Sequence, residues 1–319
     1  MKSLLPKIHF YMIWTLLFFL LSVSITAGVN AETIEIRFAY QDRIGSAIPI
    51  IAVRKGFLAE EGLKIRPMRF NSGPACAEAL YSGAADIGGM GDTTAIIMAT
   101  RSSRFAIIAS HATGEHRHRI MVKTGSEIRS LQDLRGKRIG VKKGTSTYGG
   151  LLAALKKEGM SEEDVGIIDL SPPTMTDALQ AGSLDAFAAS EPTPSAAEQK
   201  GARELTTLGG LGNQYPILVL VNRDFLKKQK ESVKKLLRAM KRAELYVAEH
   251  PKETVAIVAS ETGLPLPTSK KAMKRHTYKL RLDPEIRSSL EQTSLFLKKQ
   301  NIIKEVPDFS AVMETDLIE

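Results

Sequence analysis

Arg138-Ile-Gly-Val-Lys-Lys-Gly-Thr-Ser-Thr-Tyr-Gly-Gly-Leu-Leu-Ala-Ala-Leu-Lys-Lys-Glu-Gly159 reads as a strand, a tight turn and a helix. Ile139 and Val141 supply the β-branched run, and Gly144 lets the backbone turn. Thr145, Ser146 and Thr147 are candidate N-caps. Leu151, Leu152 and Leu155 form an apolar stripe at helical spacing, and Gly159 suits the position just past the helix end. A helix start leaves backbone N–H groups free, so hydroxyls beside it make a ready cradle for an anionic oxygen cluster. Taken alone, the hydroxyls need do no more than cap the helix. Comparable starts elsewhere in the chain raise the ligand reading.

Before this stretch, residues 34–41 alternate like a strand, a helix follows over 47–55, and 63–70 is a second strand. Asn71-Ser72-Gly73-Pro74 opens a second helix, with Pro74 suited to the first turn. Residues 85–90 form a third strand, Gly91-Asp92-Thr93-Thr94 opens a helix to Arg101, and 105–110 is a fourth strand. A second series follows the histidine-rich bridge 111–118, with strands at 120–122, 138–142, 167–170 and 186–189. Residues 217–221 make a short apolar strand, and the rest reads as helix through Leu297. Strands alternating with helices predict an α/β protein with mostly parallel sheets.

An internal echo divides the chain. Ala79-Leu80-Tyr-Ser-Gly83-Ala-Ala-Asp86 matches Ala178-Leu179-Gln-Ala-Gly182-Ser-Leu-Asp185. In both, a helix ends at a Gly and an Asp precedes a short strand. The recurrence predicts two similar lobes, with ligand sites at the carboxyl ends of strands.

The first 31 residues carry Lys2 and Lys7, an apolar run from Phe10 to Ala27, and a small-x-small site at Val29-Asn30-Ala31. This predicts a signal peptide cleaved after Ala31 and a periplasmic protein with no lipid anchor; an uncleaved membrane anchor is the competing reading. Cleavage removes two lysines, takes the net charge from +9 to +7, and removes Trp14, the only Trp. The remaining 288 residues suit two lobes. A positive balance favours an anionic ligand. Nucleic acid is not expected, because the densest basic group (Lys227 to Arg242) alternates with apolar residues on a helical period, as a solvated outer face does. Cys76, the only cysteine, permits no intrachain disulfide.

The ordered set Tyr40-Gln41, Gly56-Phe57 to Leu63, Ala79 to Ile87, Gly91-Asp92-Thr93, Leu131 to Lys137, Lys143-Gly144-Thr145-Ser146, Ala178 to Ala186 and Glu191-Pro192 resembles the periplasmic solute-binding proteins of ABC importers for sulfonates, taurine and nitrate. The likeness covers about residues 33 to 245. It implies a two-lobed periplasmic-binding-protein fold with a ligand cleft between the lobes and a helical C-terminal tail. Residues 32–118 would begin lobe one, 119–216 form lobe two, and 217–319 return to lobe one. Carried over by position, ligand contacts would come from Gln41, Ser72, Gly73, Asp92 and Thr93 of one lobe. Gly144, Thr145, Ser146 and Glu191 would face them from the other, with Tyr215 at the second crossover. The resemblance implies a monomer that hands a small-molecule ligand to a membrane permease with its ATPase, without cofactor or metal and without enzymatic activity.

The ligand class stays open at this level. Hydroxyl-bearing helix starts suit oxyanions, whereas Asp92, Glu191 and Tyr215 would suit the ring amines of a thiamine-precursor pyrimidine. An enzyme on the same fold would need a nucleophile or base with partners. Cys76 has none in the sequence, and His116 and His118 read as a solvated loop.

Overall fold

The computed structural model describes residues 35–318. The expected signal segment lies outside these residues. Among the described residues no helix is long and apolar enough to cross a membrane.

Among the described residues, eleven strands fall in two sheets. They are β1 (Glu35–Gln41), β2 (Lys64–Phe70), β3 (Ile87–Gly91), β4 (Phe105–Thr113), β5 (His118–Lys123), β6 (Arg138–Val141), β7 (Gly166–Asp169), β8 (Ala186–Ser190), β9 (Ala202–Thr207), β10 (Ile217–Asn222) and β11 (Thr277–Arg281). The first sheet runs β11-β4-β10-β3-β1-β2 and the second β7-β6-β8-β5-β9. In each, three consecutive βα strands pair in parallel, β2-β1-β3 and β7-β6-β8. In each, too, an antiparallel strand lies against the third, β10 on β3 and β5 on β8. The chain leaves the first sheet after Thr113, enters the second at His118, leaves it after Thr207 and returns at Ile217.

Sheet position explains the residue types. All nine residues of β4 are buried, because helices cover both faces of the central strands. One face packs on helices Ala47–Arg54 and Lys230–Glu249 through Ile48, Ile51, Leu236 and Met240. The other packs on Asp92–Arg101 and Pro284–Lys299 through Ile96, Ile286 and Leu290. The basic helix Lys230–Glu249 keeps its charges outward, with Arg238 paired to Glu61 at 3.2 Å.

The echo has a physical basis. Gly83 and Gly182 both take positive φ, 78° and 73°. In the first copy Arg37 of β1 forks onto Asp86, at 2.6 and 3.0 Å, and donates to the Gly83 carbonyl at 2.7 Å. In the second, Arg138 of β6 forks onto Asp185, at 3.0 and 3.1 Å, and donates to the Gly182 carbonyl at 2.7 Å. Each Asp also accepts the backbone N–H of its arginine. One bidentate joint thus ties the helix end to the first strand of each series.

Four expectations need correction. The sheets are mixed rather than mostly parallel: β10, β4 and β11 of the first and β5 and β9 of the second pair antiparallel. β11 lies in a stretch that reads as helix, and β9 in one where no strand is expected; both are edge strands with one partner and half-polar sequences, so neither carries a buried apolar run. The bridge 111–118 is shorter than expected, since β4 continues through His111 to Thr113 and only residues 114–117 lie between the strands.

Candidate functional site

The carboxyl ends of β1, β3, β6 and β8 converge on one cleft, a cavity of about 40 Å³. Gln41, Ser72, Gly73 and Gly91 line it from the first sheet's side. Lys142, Thr145, Ser146 and Ser190 line it from the second. Arg43, Arg117 and His118 complete its polar wall. Thr145 caps the helix Ser146–Lys157 by accepting the Tyr148 N–H at 3.3 Å. Ser146 Oγ and Arg117 Nε are buried without a partner. Buried polar groups left open in this way point to an occupant.

The charge on the wall is positive. Arg43, just after β1, reaches across to donate to Thr193 Oγ1 at 2.9 Å and to the Ser190 carbonyl at 3.3 Å. Arg117 donates to the Tyr215 carbonyl at 2.7 Å. Withdrawal from water pushes both guanidinium groups down to about 10, opposed by Glu191 for Arg43 and by Asp92 for Arg117. They remain charged at neutral pH, and no carboxylate is among the groups lining the cavity. Lys142 is already paired with Asp169 at 3.1 Å.

The structure brings Gln41, Ser72, Gly73, Thr145 and Ser146 to this cavity, and places the other residues carried over from the resemblance elsewhere. Gly144 lines a neighbouring surface pocket, and its carbonyl accepts from Thr94 Oγ1 at 2.9 Å. Asp92 is fully buried at its helix start, accepting from the Thr93 N–H at 2.6 Å and from Asn213 Nδ2 at 2.8 Å. Thr93 and Tyr215 line a second cavity, of about 80 Å³, and Tyr215 donates its hydroxyl to the Leu208 carbonyl at 2.6 Å. Glu191 is held by Arg119 at 2.9 Å and accepts the Ser195 N–H at 3.2 Å. Both carboxylates therefore have protein partners.

Arg43, Arg117 and His118 were not legible as wall residues. His118, read as part of a solvated loop, is 2% exposed because it begins β5 in mid-sheet and its ring rests on Tyr215, centroids 4.3 Å apart. Arg43 and Arg117 lie in short turns with no motif of their own; the only signal was a pair of arginines beside strand ends.

Gly91 permits the two sides to meet. A Cβ there would overlap Ser146 Oγ, though its backbone (φ −71°, ψ 163°) accepts any residue. Gly91→Ala is expected to weaken ligand binding about tenfold, since Ser146 must rotate its hydroxyl away, a hydrogen bond worth about 1 kcal/mol or more. Ser146→Ala alone should cost a similar factor, and adding Gly91→Ala to it should cost little more, because the Ser146 Cβ lies 3.6 Å away. Titration calorimetry on the three variants checks this; additive losses would show that the two sites do not meet.

Two lobes, a cleft at strand carboxyl ends and a cationic wall define a solute-binding protein of the periplasmic-binding-protein class. The chain belongs to the NMT1/THI5-like family, whose model matches residues 45–254. It is 26% identical over 306 residues to the taurine-binding periplasmic protein of Escherichia coli (strain K12), covering 91% of this chain and 94% of that one. Among solved structures, the alkanesulfonate-binding protein SsuA from Xanthomonas axonopodis pv. citri bound to MOPS superposes with a TM-score of 0.82 at 25% identity, covering 89% of this chain and 99% of that one. The periplasmic aliphatic sulphonate binding protein SsuA from Escherichia coli gives 0.76 at 25% identity, covering 88% and 92%. A desulfurization enzyme shares the fold alone, with a TM-score of 0.71 at 17% identity over 89% of this chain and 97% of that one.

Proposed function

We propose that this protein is the extracytoplasmic solute-binding subunit of an ABC importer. It captures a small organic anion carrying a sulfonate-like oxyanion, closes on it, and delivers it to a membrane permease with its ATPase. The observation that carries this reading is a cleft wall with two charged guanidinium groups and no carboxylate. A sulfonate presents three oxygens of one delocalised charge, matched by forked guanidinium donors and hydroxyls. The enclosed volume, at roughly 10–15 Å³ per water-sized site, favours a compact group on a short aliphatic stem. An amine heterocycle is less well served, because Asp92 and Glu191 already have partners. The cross-cleft contacts of Arg43 exist only when the two sides are together, so they favour closure. The periplasmic location of the relatives supports binding and release in that compartment.

Dye-monitored thermal unfolding of residues 32–319 tests this against ethanesulfonate, taurine, MOPS, nitrate, dicarboxylates and aminopyrimidines. A sulfonate at about 100 times its dissociation constant should add about 2.7 kcal/mol of stability. A shift with aminopyrimidines and none with any anion would sink the reading.

A further inference from the structure

His118 is the one imidazole among the side chains lining the cleft. His118 Nδ1 lies 2.7 Å from Thr147 Oγ1, and its Nε2 is buried without a partner on the cavity wall. Two tautomers are open to the pair: Nδ1–H donating to Thr147, or the Thr147 hydroxyl donating to Nδ1 with the hydrogen on Nε2. Only the second, which also uses the hydroxyl hydrogen, offers a donor to an anion in the cleft. A neutral donor then points at the space where Arg117 Nε is also unpartnered.

We propose that His118 is a ligand-contacting residue of this cleft and that capture of an anion there draws a proton onto it below neutral pH. The inference rests on the anion reading above. The groups facing the ring are Arg117 from the turn before β5, Arg43 from the turn after β1, His276 before β11, Thr147 from the helix start and the Tyr215 ring. Burial and then the repulsion of Arg117, Arg43 and His276 hold the empty site's imidazole neutral. An anion seated between the two arginines cancels much of that repulsion. It also gains a third charged partner if the ring protonates, because Nδ1 can then donate to Thr147 while Nε2 still donates to the anion. Binding and protonation are therefore reciprocal: each strengthens the other.

Titration calorimetry with ethanesulfonate tests the idea, since this ligand stays fully ionised across the range and any proton must come to the protein. Measured at pH 8, 6.5 and 5 in two buffers of different ionisation enthalpy, the wild type should show affinity rising as pH falls, by up to about tenfold per unit for one proton taken up. Proton uptake should grow from near zero at pH 8. His118→Gln keeps a donor in place of Nε2–H and cannot titrate, so it should bind without the pH dependence or the uptake. Thr147→Val should weaken binding severalfold and keep the uptake. Uptake that persists in His118→Gln, or wild-type binding that is flat with pH, overturns the proposal and leaves the anion reading standing. No binding of ethanesulfonate, taurine or MOPS at any pH removes both.

Discussion

Between pH 6.5 and pH 5 the ligand-free protein is expected to lose at least about 3 kcal/mol of folding stability. Two histidines set that figure and a third adds to it. Burial, reinforced by the nearby Arg117, pushes His111 down to about 3, and burial with Arg117 does the same to His276. His111 is fully buried in the middle of β4 with neither ring nitrogen partnered, and His276 has its Nε2 shielded while Nδ1 meets the Ala272 carbonyl at 3.0 Å. In the unfolded chain each returns to about 6.5 and takes a proton that the folded state refuses. The folded-state value is depressed, so the stability is fully present above pH 6.5 and declines as pH falls. The slope per residue is half of about 1.4 kcal/mol per pH unit at pH 6.5 and approaches the full value below it, hence about 1.6 kcal/mol each by pH 5. His118, also held well below its ordinary range, adds to the loss. Urea unfolding at pH 7.5, 6.5, 5.5 and 5 reads this directly. The window lies above the ordinary carboxylate range, so Asp and Glu contribute little to it. His111→Leu should flatten its share of the slope; an unchanged slope in that variant, or a midpoint constant across the window, would reject the account.

The second large effect is at Arg43. Arg43→Ala removes one of the two guanidinium groups facing the cleft and both donations across it, to Thr193 and Ser190. Hydrogen bonds from a charged donor are worth about 1.5–3 kcal/mol. The variant should lose about 3 kcal/mol of ligand binding, more than a hundredfold in affinity. Because the cross-cleft donations tie the two sides together, ligand-induced compaction measured by small-angle scattering should shrink as well. Arg43→Lys restores the charge without the fork and should recover only part. An affinity within threefold of wild type in Arg43→Ala would show that the guanidinium does not meet the ligand.

The alternation of strand and helix was readable because the central strands are short, apolar and bounded by glycines. Gly56, Gly83, Gly159 and Gly182 each take positive φ at a helix end. What escaped was information carried by position in the fold. β11 pairs only along β4, and its Thr-Tyr-Lys-Leu-Arg pattern does not look buried. The echo exposed Asp86 and Asp185 but hid their partners, because Arg37 and Arg138 lie 49 and 47 residues earlier. At the cleft, the helix-start residues Ser72 and Ser146 carry a local signature. Arg43 and Arg117 do not: what sets them apart is a place on the cavity wall with no carboxylate in an ion pair, which no window of sequence reports. Asp92 and Glu191 looked like candidate ligand groups for the converse reason, that Asn213 and Arg119 are distant in the chain.

The two passages between the sheets run side by side. Ala112 pairs with Ile217 at one end and Arg119 with Thr207 at the other. Between them the Gly114 N–H donates to the Gln214 carbonyl at 3.0 Å, and Arg117 reaches the Tyr215 carbonyl. In mechanical terms this is a flexure rather than a pair of strings. Two ribbons laced together along their length resist sliding and twisting, and yield most easily by bending across their common width. For the closure proposed above, such a join would steer the motion along one arc, returning Gly91 to Ser146 and Arg43 to Ser190 in register each time.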